Sequence, residues 1–268
     1  MSEQTRDAVA AYLGYWQAAG ISDGFAEAGT DWFARQQQPV RPVAAPKATP
    51  ALEPAAAKPV ARAALPVALP ALDPAALARV AQAATLEALL GQLTAFDGCA
   101  LKATAKNLCF YRGAPQARLM LIGEAPGREE DLEGKPFVGR AGQLLDKMLA
   151  AIGIDESKVH IANTVYWRPP GNRTPTPEET QACAPFLSRQ MELVAPEIVV
   201  LLGGVAVKGV LGLTEGILKL RGKWRTLTIA GREIKALATL HPAYLLRTPA
   251  AKRQAWQDLL MIEEALGG

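Results

Sequence analysis

The stretch LMLIGEAPGREEDLEGKPFVG, Leu119 to Gly139, decides how this chain is read. Leu119, Met120, Leu121 and Ile122 are apolar without a break, the pattern of a strand buried on both faces. The run then turns into Gly123-Glu124-Ala125-Pro126-Gly127, and a lone aromatic, Phe137, follows between Pro136 and Val138. A strand buried on both faces belongs to a parallel sheet covered by helices. Such sheets bind ligands at the carboxyl ends of their strands. A carboxylate flanked by glycines at that end therefore asks for a functional explanation as well as a structural one.

Outward from this stretch, short apolar runs alternate with helical segments. Strands are expected at 118–122, 159–165, 197–202 and 234–240, and helices at GQLLDKMLAAIG and after Thr176-Pro177-Glu178-Glu179. Thr176 is placed as an N-cap, Pro177 at the first helical position and Glu179 three residues beyond the cap. The alternation predicts an α/β fold with a mainly parallel sheet. Upstream, AALARVAQAATLEALLGQLTAF predicts a helix near 75–96, opened by Asp73-Pro74. Residues 37–74 hold nine of the chain's 20 prolines among alanine and valine and read as an extended linker. Residues 1–36 read as a helical segment, with Val9, Tyr12, Leu13 and Trp16 at helical spacing. The expected division is therefore 1–36, 37–74 and a catalytic or binding domain over 75–268.

Composition narrows the class. No apolar run reaches the roughly 18–20 residues of a membrane span, and the first residues lack the pattern of a signal peptide. Three cysteines, Cys99, Cys109 and Cys183, are too few and too uneven for a disulfide framework, so a cytoplasmic protein is expected. The net charge of +3 divides unequally: residues 1–97 carry 7 Lys/Arg against 9 Asp/Glu, and residues 98–268 carry 22 against 17. The second part is the one suited to a polyanion.

Four residues stand out at or near the strand ends. His241, in TLHPAYLLR, ends a strand at a proline, which fixes the exit of the chain. Asn163 interrupts the strand pattern VHIANTVYW with an amide that must find partners if buried. Glu124 follows the first strand, where Gly123 and Gly127 permit close approach of the backbone to a ligand. Phe137 offers an aromatic face. Packing and capping account for each of these alone, and His160, at the start of a strand, reads as a surface or edge residue. Neither GxGxxG nor GxxxxGK[ST] is present, which argues against a nucleotide cofactor. Together, a face to stack on, an amide to read a polar edge and a donor beside an atom that gains charge suit a planar heterocycle.

At this point GEAPG, GKPFVG-x-AGQLLDKML, N-x-x-x-x-RPPGNRTPTPEE, LRGKW and HPAYLLR, in this order over about 98–265, resemble the family 4 uracil-DNA glycosylases. The resemblance implies a three-layer αβα fold with a four-stranded parallel sheet, and excision of uracil from DNA by hydrolysis of its N-glycosidic bond. It implies that Phe137 stacks on a flipped uracil, Asn163 reads its N3–H and O4, and His241 donates to O2 as uracil leaves. Glu124 would lie beside the base and help place water, with Gly123, Ala125 and Gly127 lining the base site. Leu245 or Leu246 would wedge into the duplex. Arg221, Lys223 and Arg247, with Lys219 and Arg225, would hold phosphates. The expected partner is uracil-containing DNA, met by a monomer with no membrane attachment.

The chain also departs from that family. Four cysteines there hold an iron–sulfur cluster. Here Cys99 and Cys183 match two of the positions, while Lys102 and Trp167 stand at the others. Neither replacement is a thiolate, so the expectation is an enzyme without a cofactor, with Cys99 and Cys183 as vestiges. Cys109 could substitute only after a rearrangement. Other uracil glycosylases carry Asp at the Ala125 position and Tyr at the Gly127 position, which leaves the lesion range open. The loop RPPGNRTPTPEE contains no histidine, so covalent trapping of uracil is not expected. The alternative to an enzyme is a DNA-binding protein that keeps the fold without turnover.

Overall fold

The computed structural model describes residues 74–267; the expected N-terminal helical segment and nearly all of the expected linker lie outside them. Six strands form one sheet in the order β1-β3-β2-β4-β6-β5. These are β1 (Arg112–Gly113), β2 (Leu119–Gly123), β3 (Val159–Asn163), β4 (Ile198–Leu202), β5 (Trp224–Ile229) and β6 (Arg232–Thr239). The four inner strands are parallel, as expected, and every residue of β2, β3 and β4 is buried.

Alternate residues of these strands feed two cores. Met120, Ile122, Val199 and Leu201 face one layer, with α1 (Pro74–Gln82), α2 (Leu86–Ala95), α5 (Pro177–Val194), α6 (Gly204–Leu211) and α7 (Ile217–Leu220). Leu119, Leu121, Val200 and Leu202 face the other, with α4 (Arg140–Ala150), α8 (Pro242–Arg247) and α9 (Lys252–Leu266). The period-two alternation of strand side chains thus produces the three αβα layers.

Two features correct the expectation. The sheet has six strands instead of four, because β1 and β5 pair antiparallel at its edges. The β5–β6 hairpin turns at Ala230 (φ 48°) and Gly231 (φ 77°), the doubly positive pair a tight two-residue hairpin requires. The single helix expected near 75–96 is also two helices, because Thr85 leaves the helical path. It caps α2, its side chain accepting from the Ala88 N–H (3.1 Å). The α5 start is as expected: Thr176 accepts from the Glu179 N–H (3.2 Å), and Glu179 accepts from the Thr176 N–H (2.8 Å).

Candidate active site

Parallel register brings the ends of β2 and β3 side by side, with Gly123 opposite Asn163. A Cβ on Gly123 would sit 2.4 Å from the Phe137 ring and 2.6 Å from Asn163 Oδ1. Only bare backbone leaves room there, so the glycine lets an aromatic ring and an amide meet the strand end together. Thr164 closes the corner: its N–H donates to Gly123 O (3.0 Å) and its hydroxyl to Glu124 O (2.6 Å).

Phe137 is buried and holds a left-handed backbone, φ 57°. That conformation costs a non-glycine residue about 1–2 kcal/mol and persists only where the surroundings enforce it. Here Gly142, in the first turn of α4, lies so close beneath that a Cβ would fall 1.7 Å from Phe137 O. Glu130, in α3 (Arg128–Glu133), supplies a second restraint. Its carboxylate accepts from the Gly127 N–H (3.1 Å) and the Gly139 N–H (3.0 Å), joining the GEAPG loop to the loop that carries Phe137.

Asn163 is 1 % exposed, and its Nδ2 has no hydrogen-bond partner among the described residues. A buried donor left in this way costs roughly 1–3 kcal/mol, so ordinary packing does not account for the residue.

His241 lies beside the same corner, its ring 5.6 Å from that of Phe137 and tilted by 30°. It caps α8, with Nδ1 accepting from the Ala243 N–H (3.1 Å). In the neutral ring the proton is therefore on Nε2, which is free to donate. Burial, and next the Arg247 charge, push the imidazole down to about 4, so the ring is neutral at pH 7. Gly203, φ 92°, packs its backbone against the histidine, where a Cβ would come within 3.1 Å of His241 Cβ. Glu124 and Ala125 are half-buried at the rim, and Ala125 packs on the first core.

The structure thus brings Gly123, Glu124, Phe137, Asn163 and His241 together. It corrects three other readings. Arg221 does not face solvent: its guanidinium binds the buried Asp258 carboxylate through Nε (3.0 Å) and a terminal nitrogen (2.6 Å), and also donates to Gln254 O. Leu245 is fully buried in the second core, while Leu246 is 39 % exposed. One step along a helix turns the side chain by about 100°, so of the two leucines only Leu246 is presented to solvent. His160 is neither surface nor edge. It is fully buried, with Nδ1 on Ala114 O (2.7 Å) and Nε2 on the Gln190 amide (2.9 Å), and Tyr166 donates to that glutamine (2.8 Å). Lys219, Lys223 and Arg247 are exposed, as phosphate contacts must be. Thr164, Glu130, Gly142 and Gly203 were not singled out from the sequence. Only Glu130, three residues beyond Gly127 at the spacing of a helix cap, carried a signal that could have found it.

The four positions of the family's cluster do not fit one here. Lys102 turns outward to Thr94 O (2.8 Å) and Asp97 (2.7 Å). Trp167 is buried and packs edge-on against Tyr166. Cys109 contacts Glu130 O (3.1 Å), and burial with Asp131 and Glu130 pushes its thiol up to about 12. Two thiols, Cys99 and Cys183, remain where four thiolates are needed.

Residues 110–260 match the model of the uracil DNA glycosylase superfamily. The chain belongs to this superfamily. It is similar to the type-4 uracil-DNA glycosylase of Archaeoglobus fulgidus, 37 % identical over 187 residues that cover 68 % of this chain and 94 % of that protein. It is 39 % identical to the type-4 enzyme of Saccharolobus solfataricus over 186 residues, 68 % of this chain and 86 % of the relative. With the type-4 enzyme of Thermotoga maritima it shares 43 % over 153 residues, 56 % of this chain and 77 % of the relative. All three matches agree with the family read from GEAPG through HPAYLLR.

Proposed function

We infer that this chain is a uracil-DNA glycosylase of repair, which flips uracil from DNA and hydrolyses its N-glycosidic bond. One observation carries the reading at the level of residues: the buried Asn163 amide, with an unpartnered N–H, at a strand end bared by Gly123 and flanked by Phe137 and His241. A uracil edge supplies the missing partners. Its O4 accepts from Asn163 Nδ2, and its N3–H donates to Oδ1. Phe137 stacks on the base, a contact worth about 1–3 kcal/mol.

Bond breaking leaves positive charge on the sugar and negative charge on uracil. His241 Nε2–H donates to O2 as that charge grows, at about 3–4 kcal/mol by analogy with other oxyanion donors. A neutral ring suits the step, since it holds its proton and sets no fixed cation beside a cationic sugar. Glu124, half-buried directly after Gly123, is assigned the placing of the attacking water beside the base. Leu246 fills the space left by the extruded nucleotide, and Lys219, Lys223 and Arg247 bind phosphates.

The enzyme works as a monomer in the cytoplasm and without a cluster. The last point is supported by the partners of Lys102 and the burial of Trp167. No helix among the described residues is long and apolar enough to cross a membrane. The test is incubation with an oligonucleotide carrying one uracil, followed by alkali. Strand scission at that position is expected. Binding without scission would favour the non-catalytic alternative.

A further inference from the structure

The two thiols left over from the cluster set touch each other. Cys183 Sγ donates to Cys99 Sγ across 3.9 Å, and both side chains are buried. They lie 84 residues apart on separate pieces of the fold. Cys99 opens the short helical turn Ala100–Ala103 that follows α2, and Cys183 sits in the second turn of α5. Neither neighbour that replaces a ligand competes for the sulfurs: Lys102 is engaged outside, on Thr94 and Asp97, and Trp167 has no acceptor or thiol to offer. Cys109 is engaged elsewhere, on Glu130 O.

We propose that Cys99 and Cys183 form a reversible disulfide, which ties the Ala100–Ala103 turn to α5 where relatives with all four cysteines use a cluster. The sulfurs must close from 3.9 Å, near van der Waals contact, to about 2.05 Å. A peroxide is the oxidant. One thiolate attacks the peroxide oxygen and becomes a sulfenic acid, releasing hydroxide that takes up a proton to leave as water. The second thiol attacks that sulfur and expels another water as the S–S bond forms. Two thiols and one hydrogen peroxide thus give one disulfide and two waters. Because both sulfurs are buried, oxidation follows local opening of the 97–105 segment and is slow.

The tether matters for the proposed site because α5 receives the RPPGNRTPTPEE loop, whose Arg173 is fixed to Glu179 (2.6 and 2.8 Å) one turn before Cys183. The proposal rests on the absence of a cluster and does not depend on uracil excision, which is assayed separately on the same samples.

The test uses the full chain, purified with reductant and then treated with hydrogen peroxide. Thiols are counted in denaturant, cross-linked peptides are mapped, and Tm is followed. Treated protein is expected to fall from three thiols to one, to yield a Cys99–Cys183 peptide, and to gain roughly 10 °C in Tm, reversed by dithiothreitol. Cys109→Ser should behave in the same way, losing both of its remaining thiols, while Cys183→Ser should give no intramolecular cross-link and no gain. Three thiols surviving peroxide in mild denaturant would overturn the proposal. So would thiol loss without the Cys99–Cys183 peptide, or stoichiometric iron and sulfide in anaerobically purified protein.

Discussion

His241 can donate because its other nitrogen is occupied by the cap of α8 and because burial keeps the ring neutral. His241→Ala should lower the single-turnover excision rate by ~10²–10³ with little change in DNA affinity. Gly123→Ala should be as damaging for a different reason. Its methyl would strike Phe137 and Asn163, so uracil affinity falls with the rate while the fold, read by circular dichroism, persists. That these residues come together was legible in the sequence, because glycine, amide and histidine stood at or just after strand ends and the lone aromatic followed in the next loop. The partner of Arg221 was not legible. Asp258 lies 37 residues away in the chain, and a basic residue does not announce whether a carboxylate will bury it. Arg221→Ala should therefore lower Tm and leave the salt slope of DNA binding unchanged, since it strands a buried charge. Lys223→Ala should make that slope shallower by about one, with Tm unchanged. The reverse pattern would return Arg221 to the DNA face.

At the scale of elements, the parallel strands were readable from unbroken apolar runs, and the α5 start from its capping residues. The edge strands were not. β1 has two residues, too few for any periodicity, and β5 is mostly half-exposed or exposed, with Arg225 and two threonines among its apolar residues, which also suits a loop. The α8 helix shows the same limit, because an exposed and a core leucine are adjacent in sequence and only the helix rotation separates them. Leu245→Ala should cost about 2–4 kcal/mol in stability through the cavity it leaves. Leu246→Ala should leave stability nearly unchanged and slow excision from duplex DNA, with the rate restored on single-stranded substrate because extrusion is no longer needed. Equal rates on both substrates would remove Leu246 from the wedge role.

For the whole molecule, acid should act through two histidines, the fully buried His160 and the half-buried His241. Burial pushes both His160 and His241 down to about 4, while the unfolded chain titrates near 6.5. Between these values the unfolded state binds more protons, so stability is fully present above pH 6.5 and falls as pH drops toward 4. His160, with no exposed surface, accounts for about 3 kcal/mol of that loss, and the partly exposed His241 for less. Denaturant melts of His160→Gln should show a shallower pH dependence over this window, and an unchanged slope would contradict the burial argument.

The central claim is that a site built from Gly123, Phe137, Asn163 and His241 excises uracil in a chain that carries no cluster. It is tested most directly by single-turnover excision from a uracil-containing oligonucleotide, with the full chain shown to be free of iron, beside His241→Ala under identical conditions. The account predicts complete conversion to an abasic site by the iron-free protein and a rate ~10²–10³ lower for the variant. No abasic product at excess enzyme, activity that appears only with stoichiometric iron and sulfide, or equal rates for the two proteins would contradict it.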